Sequence, residues 1–333
     1  MNNAFEYLLI KDPHFMFGFR NNIRRSGWEK AIHDKITQII TYALEHNIKN
    51  IVFTGDVFEK SYKKDWSFSQ LQQNRTALER FKKSDLTVYS NMGNHDYFSG
   101  HESIEGTAFG EMRDLGLINY IGSGMPPVIF DIHDKKIGLF GIDYHQNKDI
   151  IFDELTRVSQ YPNVDYKICT THSNITDKNV MLTDFTYEQL SVFNIDIINC
   201  GHWHLAPTGG SVQCLNNTHF LNPWNLTRVM REYHVKLDEH KPAFIHTTIT
   251  LNNNQFETSC NEIELKVLPF SEAFNSDVID LLQELGKDGF KFFEEVTLDQ
   301  DEDLNKDESL LISLAKSYDI SERSIKLAKE LLL

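Results

Sequence analysis

The chain has 333 residues, of which 41% are hydrophobic and 24% charged, with a formal net charge of −15. This usage is ordinary for a globular chain of one large or two domains, and it excludes a fibrous or wholly disordered protein. The acidic balance also runs against a protein that coats nucleic acid with a uniformly basic surface, because phosphates attract cations.

The first ten residues lack a basic stretch followed by a long apolar run. No segment approaches the ~20 apolar residues that span a bilayer. Neither secretion nor membrane insertion is expected, and the expected location is the cytoplasm. Cys169, Cys200, Cys214 and Cys260 show no C-x-x-C spacing. They read as reduced thiols of a cytosolic protein.

In chain order, a strand at 7–10 is followed by a helix whose Ile32, Ile36, Ile39, Ile40, Ala43 and Leu44 recur at helical spacing, with Asp34, Lys35 and Gln38 opposite. A strand at 50–54 comes next. The segment 60–83 then carries Lys60, Lys63, Lys64, Arg75, Arg80, Lys82 and Lys83 against Asp65 and Glu79. Such a run is first of all a solvated face, and only second a phosphate-facing patch. A helix is expected over 68–81, with further strands at 86–89, 136–141, 166–170 and 195–199. This alternation is the pattern of a layered α/β domain.

After His204 the texture changes to β-branched segments at 233–237, 243–251 and 262–268, read as closing strands and a small appended domain. Residues 299–307 form an acidic linker, and the chain finishes in helices over 309–317 and 322–332, the latter capped by Ser321. Much of the acidity lies in this tail, from Ser271 onward.

Ligand-type residues fall at strand ends. The first strand leads into Asp12 and His14, the second into Asp56, the third into Asn94, His95 and Asp96. Later strands lead into His172 and into His202 and His204. Loops leaving parallel strands converge at one edge of a sheet, where sites assemble. Gly55, Gly93 and Gly201 each precede a ligand, where a sharp exit from the strand favours a residue tolerant of unusual backbone angles. His202 and His204 are two apart, so in an extended loop their side chains diverge and one loop serves two metals.

Carboxylates, imidazoles and one carboxamide suit Mn²⁺, Fe²⁺, Zn²⁺ or Mg²⁺, and no cysteine joins the set. Two ions sharing Asp56 would activate a water for in-line attack on phosphorus. His95 is then left for the substrate, with Asp96 orienting its ring. Each piece alone is a common loop feature. All five in this order, each at a strand end, favour a bimetal site. His101, His133 and His145 are left out as surface or structural histidines.

The ordered motifs D-x-H, G-D, G-N-H-D, H and G-H-x-H resemble those of the calcineurin-like metallophosphoesterase superfamily over about residues 5–225. The resemblance implies an αββα two-sheet sandwich with a small α+β cap and C-terminal helices. It also implies that Asp12, His14, Asp56 and His204 hold one ion, and Asp56, Asn94, His172 and His202 the other.

Gly55-Asp56-Val57-Phe58-Glu59 lacks the G-D-x-x-D-R-G extension of protein phosphatases, and Glu59 stands where purple acid phosphatases carry a tyrosine ligand. With Gly93–Asp96 and Leu221-Asn222-Pro223-Trp224, the pattern is similar to SbcD/Mre-type subunits of DNA double-strand-break nucleases. It departs from them at Asn222, where a small residue is usual, and at Thr171-His172-Ser173, where many relatives have Gly-His.

That branch implies a nuclease domain at 1–240, a DNA-capping domain at 241–300, and helices at 301–333 that grip an SbcC-like coiled-coil ATPase. Ile320, Leu327, Ala328, Leu331 and Leu332 would supply the apolar surface. Helices near 68–81 and 103–115 would form a homodimer interface within a heterotetramer. The expected activity is Mn²⁺-dependent DNA cleavage, as a 3′ to 5′ double-strand exonuclease and an endonuclease. A small-molecule or cyclic-nucleotide phosphodiesterase of the same superfamily is the alternative. A non-enzymatic scaffold is the third reading, against which the complete ligand set stands.

Overall fold

The computed structural model of the protein describes residues 4–17, 27–59, 67–97, 104–177, 183–204, 207, 209–227 and 241–273. Its first half runs β1 (Ala4–Ile10), α1 (Gly27–Glu45), β2 (Asn50–Phe53), α2 (Phe68–Lys83), β3 (Thr87–Ser90), α3 (Ala108–Asp114), β4 (Asn119–Tyr120), β5 (Val128–Ile132) and β6 (Lys135–Ile142). Then come α4 (Lys148–Ser159), β7 (Tyr166–Thr171), β8 (Ile175–Thr176), β9 (Phe185–Thr186), α5 (Tyr187–Leu190) and β10 (Ile197–Cys200). The described chain closes with β11 (Val212–Leu215), β12 (Thr218–Leu221), β13 (Ala243–Asn252), β14 (Gln255–Glu264) and α6 (Phe270–Ala273).

These strands form two six-stranded sheets, ordered β14-β13-β1-β2-β3-β4 and β11-β12-β10-β7-β6-β5, beside a short β8-β9 pair. Neighbours are parallel from β1 to β4. They are again parallel through β6, β7, β10 and β12. The remaining pairs of the two large sheets are antiparallel, and β8 and β9 are parallel. Central parallel strands are covered on both faces and therefore read as near-continuous apolar runs, such as Leu8-Leu9-Ile10 and Ile51-Val52-Phe53, all fully buried.

Period-two alternation sorts the side chains into layers. Tyr7, Leu9 and Val52 of the first sheet meet Ile137, Leu139, Ile168, Ile197 and Leu221 of the second in one cluster. The alternate residues Phe140, Ile142, Cys169, Ile198 and Phe220 pack instead with Ile151, Leu155 and Val158 of α4. On the outer face of the first sheet, α2 buries Ala77, Leu78 and Phe81, and the Phe81 ring meets Phe53 edge-on at 6.0 Å. A capping box between Ser67 and Gln70 starts α2. The layers are helix, sheet, sheet, helix, as the motif pattern implied.

Two tight hairpins close sheet edges. Asn216 and Asn217 between β11 and β12, and Asn253 and Asn254 between β13 and β14, all have positive φ. Both turns fit the type I′ geometry that matches strand twist. The second hairpin, residues 243–264, extends the first sheet, because β13 pairs with β1. The strand expected at 262–268 runs instead over Gln255–Glu264, where every second residue packs and the turn sets the register.

The chain divides into two compact units, one of residues 1–18, 33–229 and 240–266, which holds both sheets, and one of residues 19–32, 230–239 and 267–333. In the second unit, Gly27 at the start of α1 lies against the Glu272 carbonyl, where a Cβ would come within 2.4 Å. The strand expected at 233–237, the acidic linker and the C-terminal helices lie outside the described residues, as does His101. Among the described residues, no helix is long and apolar enough to cross a membrane.

Candidate metal centre

The parallel strands of both sheets present their C-terminal ends to one edge, and each delivers side chains there. Beyond β1 lie Asp12 and His14, beyond β2 Asp56, beyond β3 Asn94, His95 and Asp96, beyond β7 His172, and beyond β10 His202 and His204. Main-chain bonds lock the loops together: the His14 amide donates to the Asp56 carbonyl at 2.8 Å, and the Gly201 amide to the Thr171 carbonyl at 2.9 Å.

Four of these residues stand in the left-handed region, with φ of 39° at Asp12, 43° at His14, 44° at Asp56 and 76° at His202. Each such residue costs about 1–3 kcal/mol and persists only where the surroundings impose it. The glycines act differently from expectation. Gly55 does have a left-handed φ of 86°, but Gly93 and Gly201 are not among the positive-φ glycines. They are required by close approach: a Cβ at Gly93 would lie 2.1 Å from Asp56 Oδ1.

The donor atoms gather in two groups that share one carboxylate. His14, Asp56 and His204 form the first, and Asp56, His172 and His202 the second, with ligand atoms inside each group within 4.8 Å of one another. Asp56 Oδ2 lies 3.5 Å from His14 Nε2 and 3.2 Å from His172 Nε2. Its other oxygen accepts the His95 amide at 2.7 Å.

Asn94 Oδ1 joins the second group at 3.1 Å from His172 Nε2, and His202 Nδ1 lies 3.2 Å from that nitrogen. In the first group, His14 Nε2 and His204 Nε2 are 2.9 Å apart. Ligand bonds of about 2.1 Å near a right angle separate two nitrogens by about 3 Å, so this spacing suits a shared cation.

Asp12 sits one step back. Its Oδ1 accepts from the Thr54 hydroxyl at 2.7 Å, and its Oδ2 from the His202 amide at 2.8 Å. Each oxygen keeps a second lone pair for a ligand role. The His172 ring donates from Nδ1 to the Thr54 carbonyl at 2.7 Å, which turns Nε2 toward the cluster. Sequence reading did not single out Thr54. Its only sequence signal was its place before Gly55-Asp56.

The buried carboxylates and imidazoles of the site shift one another's proton affinities. Burial would raise the Asp56 carboxyl, but His172, His95 and His14 outweigh it and hold Asp56 well below the usual carboxylate range. Burial disfavours charge on His172, yet Asp56 and Asp12 push it up to about 9. Burial and His172 together push His202 down to about 4, keeping its lone pair available.

Asp96 does not take the expected place. Its carboxylate accepts from the amides of Val57 and Phe58, each at 3.2 Å, and Gly93 at 3.0 Å. It braces the Asp56 and Asn94 loops against each other. The contact on the His95 ring comes from Glu59, whose carbonyl is 2.9 Å from His95 Nδ1. Burial and then Asp56 push Asp96 up to about 7, against the three amide bonds.

Asn222 is buried: it accepts from Lys11 Nζ and donates to the Ile175 carbonyl at 3.1 Å. Tyr144, also missed, sets its ring 5.3 Å from His202 and 6.1 Å from His172. The described part of the basic segment is largely engaged within the protein. Glu79 pairs with Arg75 at 2.8 Å and Lys83 at 2.9 Å, and Arg80 bonds the His33 carbonyl at 3.2 Å.

A family model described as calcineurin-like phosphoesterase matches residues 8–206. No curated protein matches the chain. Among solved structures, Vps29 of Cryptosporidium parvum is 16% identical, covering 79% of this chain and 100% of its own at a TM-score of 0.35. A dimetal phosphatase of Danio rerio is 10% identical, covering 80% and 100% at 0.45. A single mutant of Vps29 of Entamoeba histolytica is 17% identical, covering 78% and 99% at 0.30.

Proposed function

This chain belongs to the calcineurin-like phosphoesterase family, a hydrolase acting on phosphoester bonds, and on that premise we propose that it is a metal-dependent DNA nuclease. Asp12, His14, Asp56 and His204 would hold one divalent ion, and Asp56, Asn94, His172 and His202 the other. The observation that carries this is the sharing of Asp56 Oδ2 between the two histidine groups. Mn²⁺ is the proposed metal, with Mg²⁺, Fe²⁺ and Zn²⁺ compatible with the same donors. When bound, two such ions neutralise phosphate charge and activate water for in-line attack.

His95 completes the reaction. Its ring stands edge-on to His14 with centroids 5.0 Å apart, and its side chain is 13% exposed, within reach of a phosphate at the metals. With Nδ1 held by the Glu59 carbonyl, Nε2 is the nitrogen to meet substrate. Water adds to phosphorus as the bond to the leaving oxygen breaks, a proton from His95 Nε2 goes to that oxygen, and the proton that the water releases restores His95.

DNA as substrate, 3′ to 5′ polarity, a homodimer and an SbcC-like ATPase partner in the cytoplasm belong to the same proposal. Their support is the G-D-V-F, G-N-H-D and G-H-W-H motifs and the length of chain after the sandwich. The test offers end-labelled duplex DNA and Mn²⁺ to the purified chain, with and without the ATPase. Release of nucleotides is expected, and no release in either case sinks the reading.

A small-molecule phosphodiesterase is favoured by one feature, a polar cleft beside His202 lined by Tyr144, His145, Gln146, Lys148 and Asn174. Pockets of this kind orient small substrates. Turnover of cyclic nucleotides with DNA left intact would select it.

A further inference from the structure

Glu59 follows the Asp56 loop and lies at the meeting point of two histidines with different tasks. Its carboxylate is 10% exposed and approaches His14 Nδ1 at 2.8 Å and His95 Nδ1 at 4.0 Å. Both Glu59 Oε2 and His14 Nδ1 are shielded from solvent. The two atoms are at hydrogen-bond distance, but the ring N–H is turned off the line to the oxygen, so they stand in contact without a formed hydrogen bond between them. On the far side of the same ring, Nε2 faces Asp56 Oδ2 and His204 Nε2.

We propose that Glu59 is a positioning residue of the metal centre, whose carboxylate receives the Nδ1 proton of His14 and so commits Nε2 to the cation, while its main-chain carbonyl orients His95. This rests on the bimetal reading above. An imidazole has one proton to place when neutral, and the partner of its outer nitrogen decides which nitrogen binds metal. His172 obtains the same instruction from the Thr54 carbonyl, a neutral acceptor. At His14 the acceptor is an anion, which also makes the ring a stronger donor toward the metal.

One residue thereby couples the ion-binding ring to the ring that meets substrate. Those two rings stand at 82° to each other, an arrangement that independent anchors would have to reproduce. His14, Glu59 and His95 also satisfy the distances of a metal-binding group in their own right. Glu59 as a direct ligand of a further ion is therefore the reading to be separated by experiment.

The experiment compares the full chain with Glu59→Ala and Glu59→Gln by Mn²⁺ titration, by ¹⁵N spectra of the histidine rings in the metal-free state, and by thermal unfolding in chelator. Glu59→Ala is expected to weaken one of the two ions by about 10- to 100-fold. It should also mix the two tautomers of His14 without lowering the metal-free melting temperature. Glu59→Gln, which still accepts a hydrogen bond, should keep the tautomer and recover part of the affinity.

Unchanged affinity with a single His14 tautomer in Glu59→Ala overturns the proposal. So does complete loss of one ion from the stoichiometry in both variants, which makes Glu59 a ligand. A wild type that takes up two ions but cuts no DNA sinks the nuclease reading and leaves this test intact.

Discussion

His14 Nε2 stands 2.9 Å from His204 Nε2, across 190 positions of the chain. Two lone pairs at that distance repel unless a proton or a cation lies between them. His204→Ala is therefore expected to remove one ion, and Asp56→Asn, which alters the oxygen common to both groups, to remove both. Equilibrium dialysis with elemental analysis reads the stoichiometry. Mn²⁺ at a hundred times its Kd should stabilise the wild type by about 2.7 kcal/mol and Asp56→Asn by far less. Equal thermal shifts in the two proteins would refute the shared-carboxylate geometry.

His95 bonds to the site through its backbone amide on Asp56, which a side-chain change leaves in place, and through its ring Nδ1 on the Glu59 carbonyl, which a glutamine amide can replace. His95→Gln should keep both ions and lose roughly 10²- to 10⁴-fold in kcat. A chromogenic phosphodiester assayed beside metal analysis decides it. Loss of metal together with activity would move His95 from proton transfer to metal binding.

The tightest packing in the site is Gly93 against Asp56, where an added Cβ would lie 2.4 Å from the aspartate amide nitrogen. Gly93→Ala must displace the shared carboxylate. It should cost about 1–3 kcal/mol of stability and abolish metal uptake. Gly106→Ala is the control, since a Cβ there meets nothing within 4 Å, and any penalty comes only from its φ of 81°. Activity retained in Gly93→Ala would contradict the close approach.

Burial lowers the His219 pKa below its usual 6.5. Below that pH the unfolded chain binds the proton more readily than the folded one, so stability is lost as pH falls through 6.5 and levels off beneath the folded value. His219→Gln should show a smaller drop in melting temperature between neutral pH and pH 5 than the wild type. Parallel curves for the two proteins would place the acid sensitivity elsewhere.

Most of the fold was written in local pattern. The apolar runs before Asp12, Asp56, Asn94, His172 and His202 gave strands within a few residues of those observed, because a strand buried on both faces must be apolar throughout. The strands β11 and β12 were missed and β14 was misplaced, since β11 and β14 lie at sheet edges with no fully buried residue, and the two hairpins are announced chiefly by the Asn216-Asn217 and Asn253-Asn254 turns.

The amino-acid sequence by itself determined which side chains carry the chemistry, since residue type and strand-end position suffice to name Asp56 or His204. Only the tertiary structure decided what those side chains touch. Asp96 turning to three amides, Glu59 taking the His14 and His95 rings, and Gly93 yielding space to Asp56 are contacts between loops 36 to 45 positions apart or within one turn. Such contacts depend on where parallel strands set their ends, a spacing in three dimensions that no local periodicity records.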